Sequence, residues 1–167
     1  LVADMQVFAV KDLAEAVTVL NGKGEYYNEP YNIEEIQAGK ALDFADVYGQ
    51  ILVKRACETA VSGMHNLLLM GSPGAGKTMI AERIPEILPP LNAEERMELS
   101  KIYSVCGLLE HKRGLMQKRP FRAPHHTITP QGLAGGGALP KPGEISLAHK
   151  GILFLDELTE FQNDTLE

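Results

Sequence analysis

The chain has 167 residues, of which 44% are hydrophobic and 23% charged, with a formal net charge of −6. This is enough for about one domain with a sizeable core, and the balance is that of an ordinary globular protein rather than a low-complexity or disulfide-rich one. Its longest apolar runs, such as Leu67–Met70 and Ile152–Leu155, suit buried strands and are far below the roughly 20 residues of a membrane-spanning helix.

Met5–Val10 reads as a strand, followed by a short helix with Asp12 as N-cap, Leu13, Val17 and Leu20 on one face, and Asn21–Gly22 as the stop. Charged Asp4 and Lys11 interrupt the apolar opening, so no signal peptide is expected. Leu1 in place of an initiating Met, and an abrupt stop after an acidic motif, suggest a piece of a longer protein. Residues 21–42 are polar and tyrosine-rich, as in a linker. A new pattern starts at Asp43, with a helix expected from about Gln50 to Val61 and an end near Gly63.

Asn66–Met70 is the next expected strand, and it runs straight into a glycine-rich loop. After the loop, Met79, Ile80 and Ile84 start a helix that Pro85 must kink or end, because proline lacks the donor and clashes with the preceding turn. Asn92 with Glu95 three residues later resembles a capping box and opens a helix to about Cys106, closed by Gly107. Pro120–His126 reads as a short strand and Thr127–Lys150, rich in Gly and Pro, as irregular or hairpin structure. Gly151–Glu157 is a buried strand ending in two carboxylates. The order implies an α/β sandwich with a parallel sheet.

Charge is distributed unevenly. His111–Gly143 contains no acidic residue but holds Lys112, Arg113, Lys118, Arg119, Arg122 and Lys141. Such a stretch points either to a polyanion-facing surface or to a solvated basic loop. The two cysteines, Cys57 and Cys106, have no paired spacing and read as reduced, half-buried core residues. Adjacent His125 and His126 point to opposite faces of a strand, which favours a structural role near a nucleotide site or sheet end over shared metal ligation.

Two motifs carry chemistry. Gly71-Ser72-Pro73-Gly74-Ala75-Gly76-Lys77-Thr78 matches the phosphate-loop pattern G-x-x-x-x-G-K-[ST] in full. Its glycines let successive amides turn toward phosphate oxygens, and the helix it opens adds a favourable dipole. Lys77 is then suited to the β- and γ-phosphates and the Thr78 hydroxyl to magnesium. The second motif is Ile152-Leu153-Phe154-Leu155-Asp156-Glu157: Asp156 at the strand end is the expected second magnesium ligand, and Glu157 the expected base that polarises water. Together they predict binding of ATP or ADP with Mg2+.

These residues, with R-P-F-R-A-P-H-H-T at 119–127, the glycines 135–137 and P-G-E-I-S-L-A-H-K-G-I-L-F-L-D-E-L at 142–158, resemble the magnesium-chelatase-related AAA+ ATPases of the YifB/ComM type. The resemblance covers residues 43–167 and implies the N-terminal part of a three-layer P-loop domain, ending after the Walker B strand. It also implies that residues 1–20 are the tail of a preceding Lon-protease-like domain. Val47, Tyr48 and Gln50 are similar to the segment that packs around adenine. What the resemblance implies further is a homo-oligomeric ring of six subunits, in the bacterial cytoplasm and off the membrane, acting on DNA as a helicase or translocase, or alternatively remodelling a protein partner as a chelatase-type or chaperone-like ATPase. The glycines 135–137 and Pro140-Lys141-Pro142-Gly143 would form the tip of a hairpin at Leu133–Lys150, either a pore loop or a surface loop. The arginine finger and sensors of the family would follow Glu167, so this stretch is expected to bind nucleotide with little turnover.

Overall fold

In a computed structural model of the chain, residues 8, 10–23, 42–109, 114–137, 140–166 are described. Packing divides the chain into two units, Leu1–Ala38 and Gly39–Glu167. In the first, α1 (Leu13–Thr18) starts where the Asp12 side chain accepts from the Glu15 N–H, as the sequence predicts. It continues into a wider turn, Val19–Lys23, in which Gly22 takes φ 76°. The predicted strand Met5–Val10 lies largely outside the described residues, and Phe8 and Val10 are not in a strand. Residues 24–41 of the expected linker also lie outside them.

The second unit begins with a single 3-10 turn, Phe44–Asp46, closed by a capping box between Asp43 and Asp46. Gly49 and Gln50, both with positive φ, turn the chain sharply into α2 (Ile51–Gly63), which ends on left-handed Met64. The expected strand Asn66–Met70 forms no strand among the described residues, and Leu69 alone of its leucines is turned inward. The uninterrupted apolar run predicted a buried strand, whereas Leu67, Leu68 and Met70 are exposed here, because a ladder depends on partners elsewhere in the chain. Beyond the loop the expected kinked helix is two helices, α3 (Lys77–Ala81) and α4 (Ile84–Ile87), with Pro85 in the first turn of α4. Proline fits there because that position has no helical acceptor for an N–H, so the break falls one turn before the proline.

The predicted capping box forms in both directions: the Asn92 side chain accepts from the Glu95 N–H at 2.8 Å and Glu95 accepts from the Asn92 N–H at 3.1 Å. It opens α5 (Ala93–Val105), and Gly107 follows with φ 69°. Then come β1 (Phe121–Arg122), α6 (Pro130–Ala134), β2 (Gly135–Gly136), β3 (Lys141–Pro142), α7 (Glu144–Leu147), β4 (Ile152–Leu153) and α8 (Asn163–Leu166). β1 and β4 pair in parallel, Phe121 opposite Ile152, and the Phe154 N–H extends the ladder to the Arg122 carbonyl at 2.8 Å. Among the described residues the parallel sheet of the expected sandwich therefore comprises these two strands, shorter than the predicted Pro120–His126 and Gly151–Glu157.

β2 and β3 form the expected antiparallel hairpin, but Gly135 and Gly136 are its rungs rather than its tip. The bend lies between them and Lys141, and residues 138 and 139 are outside the described set. A Cβ at Gly135 would stand 2.7 Å from the Lys141 carbonyl oxygen, so no larger residue fits this crossing.

Two apolar clusters hold the unit. Val47, Cys57 and Ile80 form one, with Leu69, Ile84 and Ile87 against it; Leu91, Leu99, Tyr103 and Leu147 form the other. Cys57 is fully buried, and burial pushes its thiol pKa up; both cysteines are free, as expected. Arg119, almost fully buried, joins three segments at once: it donates to the carbonyls of Pro89 (2.6 Å) and Lys150 (2.7 Å) and to Glu95 Oε2 (3.1 Å).

Two carboxyls of α5 sit below the ordinary glutamate range. Glu95 is held down by the Asn92 N–H and then by Arg119, and Glu98 by His149 and then by Lys150. A carboxyl whose pKa folding lowers stabilises the fold above its unfolded value, about 4.3, and that contribution is lost as pH falls through the folded value. Thermal melts at descending pH should accordingly show stability falling below about pH 4.3, with a shallower fall in Glu95→Gln; an identical acid limb in that variant would assign the loss to other groups.

Candidate nucleotide and magnesium site

The phosphate loop curls where the sequence permits it. Gly74 and Gly76 take φ of 77° and 83°, while Gly71 has an ordinary backbone and needs no glycine on conformational grounds. The Ala75 N–H closes the turn on the Ser72 carbonyl, Pro73 leads into the bend, and Gly76 caps α3. Lys77, the first residue of α3, folds back over the loop and donates from Nζ to the carbonyls of Gly71 and Ser72, each at 3.1 Å. Its ammonium is therefore held at the concave side of the loop.

Thr78 follows on α3, and its Oγ1 donates to Asp156 Oδ2 at 2.8 Å across 78 positions of sequence. β4 supplies the other side of this contact: after its last rung the chain runs through Phe154 and Leu155 to Asp156, at the carboxyl end of the strand. The two oxygens expected to hold magnesium thus meet. Magnesium takes hard oxygen donors and keeps several waters, with one or two protein oxygens sufficing beside phosphate, so this donor set fits the ion. Among the described residues no group of three or more His, Cys, Asp or Glu converges as an all-protein cage, and such a site requires none.

Glu157 is next, and its backbone is unusual: φ 52°, ψ 47°, the left-handed region. Its N–H donates to Asp156 Oδ1 at 3.0 Å, and the side chain, two-thirds exposed, approaches His126 Nδ1 at 3.5 Å. β1 brings His126 there, because parallel pairing delivers the ends of β1 and β4 to one edge. The His125 and His126 rings lie side by side, with centroids 4.0 Å apart and tilted 36°. They are not on opposite faces of a strand as predicted, since β1 ends at Arg122, and His125 bonds Thr127 instead. The histidine pair is thus at the nucleotide-site edge, as expected, but its contact with Glu157 was missed. The signal available was the placement of both residues just past strands that pair in register.

The segment similar to an adenine-packing region divides by burial. Val47 is buried against Ile80 of α3, Tyr48 is 94% exposed beside it, and Gln50 is exposed on its left-handed turn. Sequence reasoning also passed over Arg83, between α3 and α4, which reaches back to the turn preceding Val47. Of the basic stretch, Arg122 makes a two-pronged pair with Glu144 at 2.6 and 2.7 Å, Arg119 binds Glu95, and Lys118 lies 4.0 Å from Glu86. Lys112 and Arg113 are outside the described residues, and Lys141 stands exposed on β3. Much of the apparent positive face is therefore neutralised internally by acids from outside the stretch.

A glycine-rich loop opening a helix, with lysine and threonine aligned against a strand-terminal aspartate, defines the P-loop class of nucleotide-binding proteins. The sequence profile of the family described as magnesium chelatase, subunit ChlI, matches residues 43–167. Three relatives are similar as well: a Salmonella typhimurium protein, YifB, itself uncharacterised, is 53% identical over 75% of this chain and 24% of its own length. Escherichia coli YifB, also uncharacterised, is 40% identical over 97% of the chain and 35% of its length. The competence protein ComM of Haemophilus influenzae is 42% identical over 100% of the chain and 33% of its own. The chain belongs to the magnesium-chelatase-related family of YifB and ComM, and it spans about a quarter to a third of these relatives. Family membership brings with it the AAA+ P-loop fold and the use of nucleotide and Mg2+. No helix among the described residues is long and apolar enough to cross a membrane.

Left-handed backbone costs an L-residue roughly 1 kcal/mol, and an exposed pair such as Glu157–His126 returns little. Glu157→Gly is expected to stabilise the chain by about 1 kcal/mol, raising the melting temperature by about 2–4 °C. A lower melting temperature would mean that the Glu157 side chain contributes more to the fold than its backbone strain removes.

Proposed function

We propose that this chain is the nucleotide-binding part of an ATP-hydrolysing AAA+ motor that assembles as a homo-oligomeric ring, of six subunits, in the bacterial cytoplasm and acts on DNA. The observation that carries the ATPase reading is the 2.8 Å contact between Thr78 and Asp156, since two motifs far apart in sequence converge where one ion would need them. In this reading residues 43–167 are the N-terminal part of the ATPase domain, residues 21–42 a linker, and residues 1–20 the tail of a preceding Lon-protease-like domain. The similarity to ComM over the whole chain supports a shared arrangement that includes these first residues.

Each residue has one task. Amides from Gly71 to Gly76 receive the phosphates, and Lys77 exchanges its two loop carbonyls for phosphate oxygens. Thr78 and Asp156 hold the magnesium, which when bound supplies positive charge against the phosphoryl oxygens. Glu157 accepts the proton of the attacking water and orients it. Tyr48 and Gln50 face the nucleoside, and Val47, buried behind them against Ile80, anchors the segment.

Three variants separate these roles. Lys77→Ala should abolish binding of Mg·ATP by calorimetry, because no other loop residue supplies that charge. Glu157→Gln in the oligomeric protein should bind ATP and not turn it over, the amide keeping the shape without the basic oxygen. Asp156→Asn should weaken binding only when magnesium is present. Wild-type affinity in the lysine variant would remove the assignment, and wild-type turnover in the glutamine variant would move the base elsewhere.

The DNA assignment is supported by a relative bearing the name competence protein and by exposed Lys141 on the hairpin, read here as a pore loop. A second reading, a chelatase-type or chaperone-like motor on a protein partner, gains from the internal pairing of Arg119 and Arg122. ATPase rates of the oligomeric protein with and without single-stranded DNA distinguish the two. On the DNA reading DNA stimulates turnover, and Lys141→Glu weakens DNA binding with an effect that shrinks as salt rises, because phosphate contacts release counterions. Unchanged DNA affinity in that variant at low salt leaves the hairpin as a surface loop.

A further inference from the structure

Arg83 is nine-tenths buried, yet it belongs to neither motif. It sits just after α3, the helix that carries Lys77 and Thr78, and its guanidinium is divided between that helix and a separate segment. Nη1 donates to the Met79 carbonyl at 2.8 Å, on α3 itself. Nε donates to the Asp43 carbonyl at 3.1 Å, and Nη2 lies 3.5 Å from Asp46 Oδ2, 37 positions away. Asp43 and Asp46 are the two ends of the capping box that closes the Phe44–Asp46 turn. Arg83 therefore fastens that turn to α3 through its backbone and its last side chain at once.

The turn is rigid enough to transmit this. Besides the capping box, the Val47 N–H donates to the Phe44 carbonyl at 3.1 Å, and Val47 is buried against Ile80, two residues past Thr78 on α3. The next residue, Tyr48, exposes its ring almost completely. An aromatic face open to solvent is what a planar base stacks on. After Tyr48, the left-handed pair Gly49 and Gln50 turns the chain away into α2, so the orientation of Tyr48 is set by the turn before it.

We infer that Arg83 is a positioning residue for the nucleoside end of the site: by tying the Asp43–Asp46 turn to α3, it holds Tyr48 in register with the phosphate loop. This rests on the nucleotide-binding reading above and assigns Arg83 to recognition of the base rather than of the phosphates. A planar fork that reaches two carbonyls and a carboxylate at once suits arginine and not lysine, which offers a single point of attachment.

The test compares two ligands that share phosphates and differ in the nucleoside, Mg·ATP and Mg·tripolyphosphate, titrated by calorimetry into the wild-type chain, Arg83→Met, Arg83→Lys and Tyr48→Ala. Wild type should prefer ATP. Arg83→Met should lose on the order of tenfold in ATP affinity, the scale of one base–aromatic stack, with tripolyphosphate affinity held within about twofold. Arg83→Lys should recover part of the loss, and Tyr48→Ala combined with Arg83→Met should lose no more than either alone, as expected when one residue acts through the other. Should Arg83→Met not fold, Asp46→Asn keeps both carbonyl bonds, removes the charge pair, and should lower ATP affinity alone by a few fold. A parallel loss for both ligands, or unchanged ATP affinity, in whichever variant folds overturns the inference. Wild type that binds neither ligand would overturn the nucleotide reading and this inference with it.

Discussion

The bond from Thr78 to Asp156 closes 78 positions of chain into one site, and much of the second unit can be understood as what makes that closure possible. Thr78 is fixed because α3 packs its Ile80 into a core with Val47 and Cys57. Asp156 is fixed because β4 pairs with β1 and because Arg119 binds the Lys150 carbonyl just before that strand. The same arginine binds Pro89 and Glu95, so the entrance to α5 and the entrance to β4 share one anchor. A short hydrogen bond between two half-exposed side chains would contribute little on its own. It persists because each of its ends is positioned by a separate buried framework.

The site edge shows how a parallel sheet concentrates function. Strands running the same way bring their ends together, so residues just past β1 and β4 become neighbours although about 30 positions separate them. His126 and Glu157 meet in this way. Glu157 also takes a backbone conformation that costs energy, next to an aspartate that needs none, and stored strain of this kind tends to collect where chemistry is done. The hairpin β2–β3 starts within ten residues of His126 and shares the chain with it through α6, whose cap is Thr129.

Local features of this fold were legible in the sequence and non-local ones were not. The capping box of Asn92 and Glu95, the Asp12 cap, the glycine curl at Gly74 and Gly76 and the end of α2 all depend on residues within a turn or two of each other. The phosphate loop and the acidic strand end were readable for the same reason, and their meeting followed from the one magnesium ion that both motifs imply. Pairing across distance was hidden. The acid-free stretch looked like an open basic surface because Glu95 and Glu144, the partners of Arg119 and Arg122, lie outside it. Asn66–Met70 showed an unbroken apolar run but not the absence of a ladder among the described residues, since pairing belongs to two strands and composition to one. Arg83 gave only a weak signal: a single cation, next to Glu82, in the mostly apolar stretch Met79-Ile80-Ala81-Glu82-Arg83-Ile84.

Lys77 carries a consequence of its own. Its ammonium is bonded to two carbonyls of the loop it serves, so an arriving anion would compete with two acceptors already in place. A chloride or a lone carboxylate offers one or two contacts and little reason for the lysine to move. A polyphosphate offers several oxygens together, to the lysine and to the loop amides, and the exchange becomes favourable only when they are engaged jointly. On the nucleotide reading, the loop would favour polyphosphate over small anions by the number of oxygens engaged together, with no steric barrier needed.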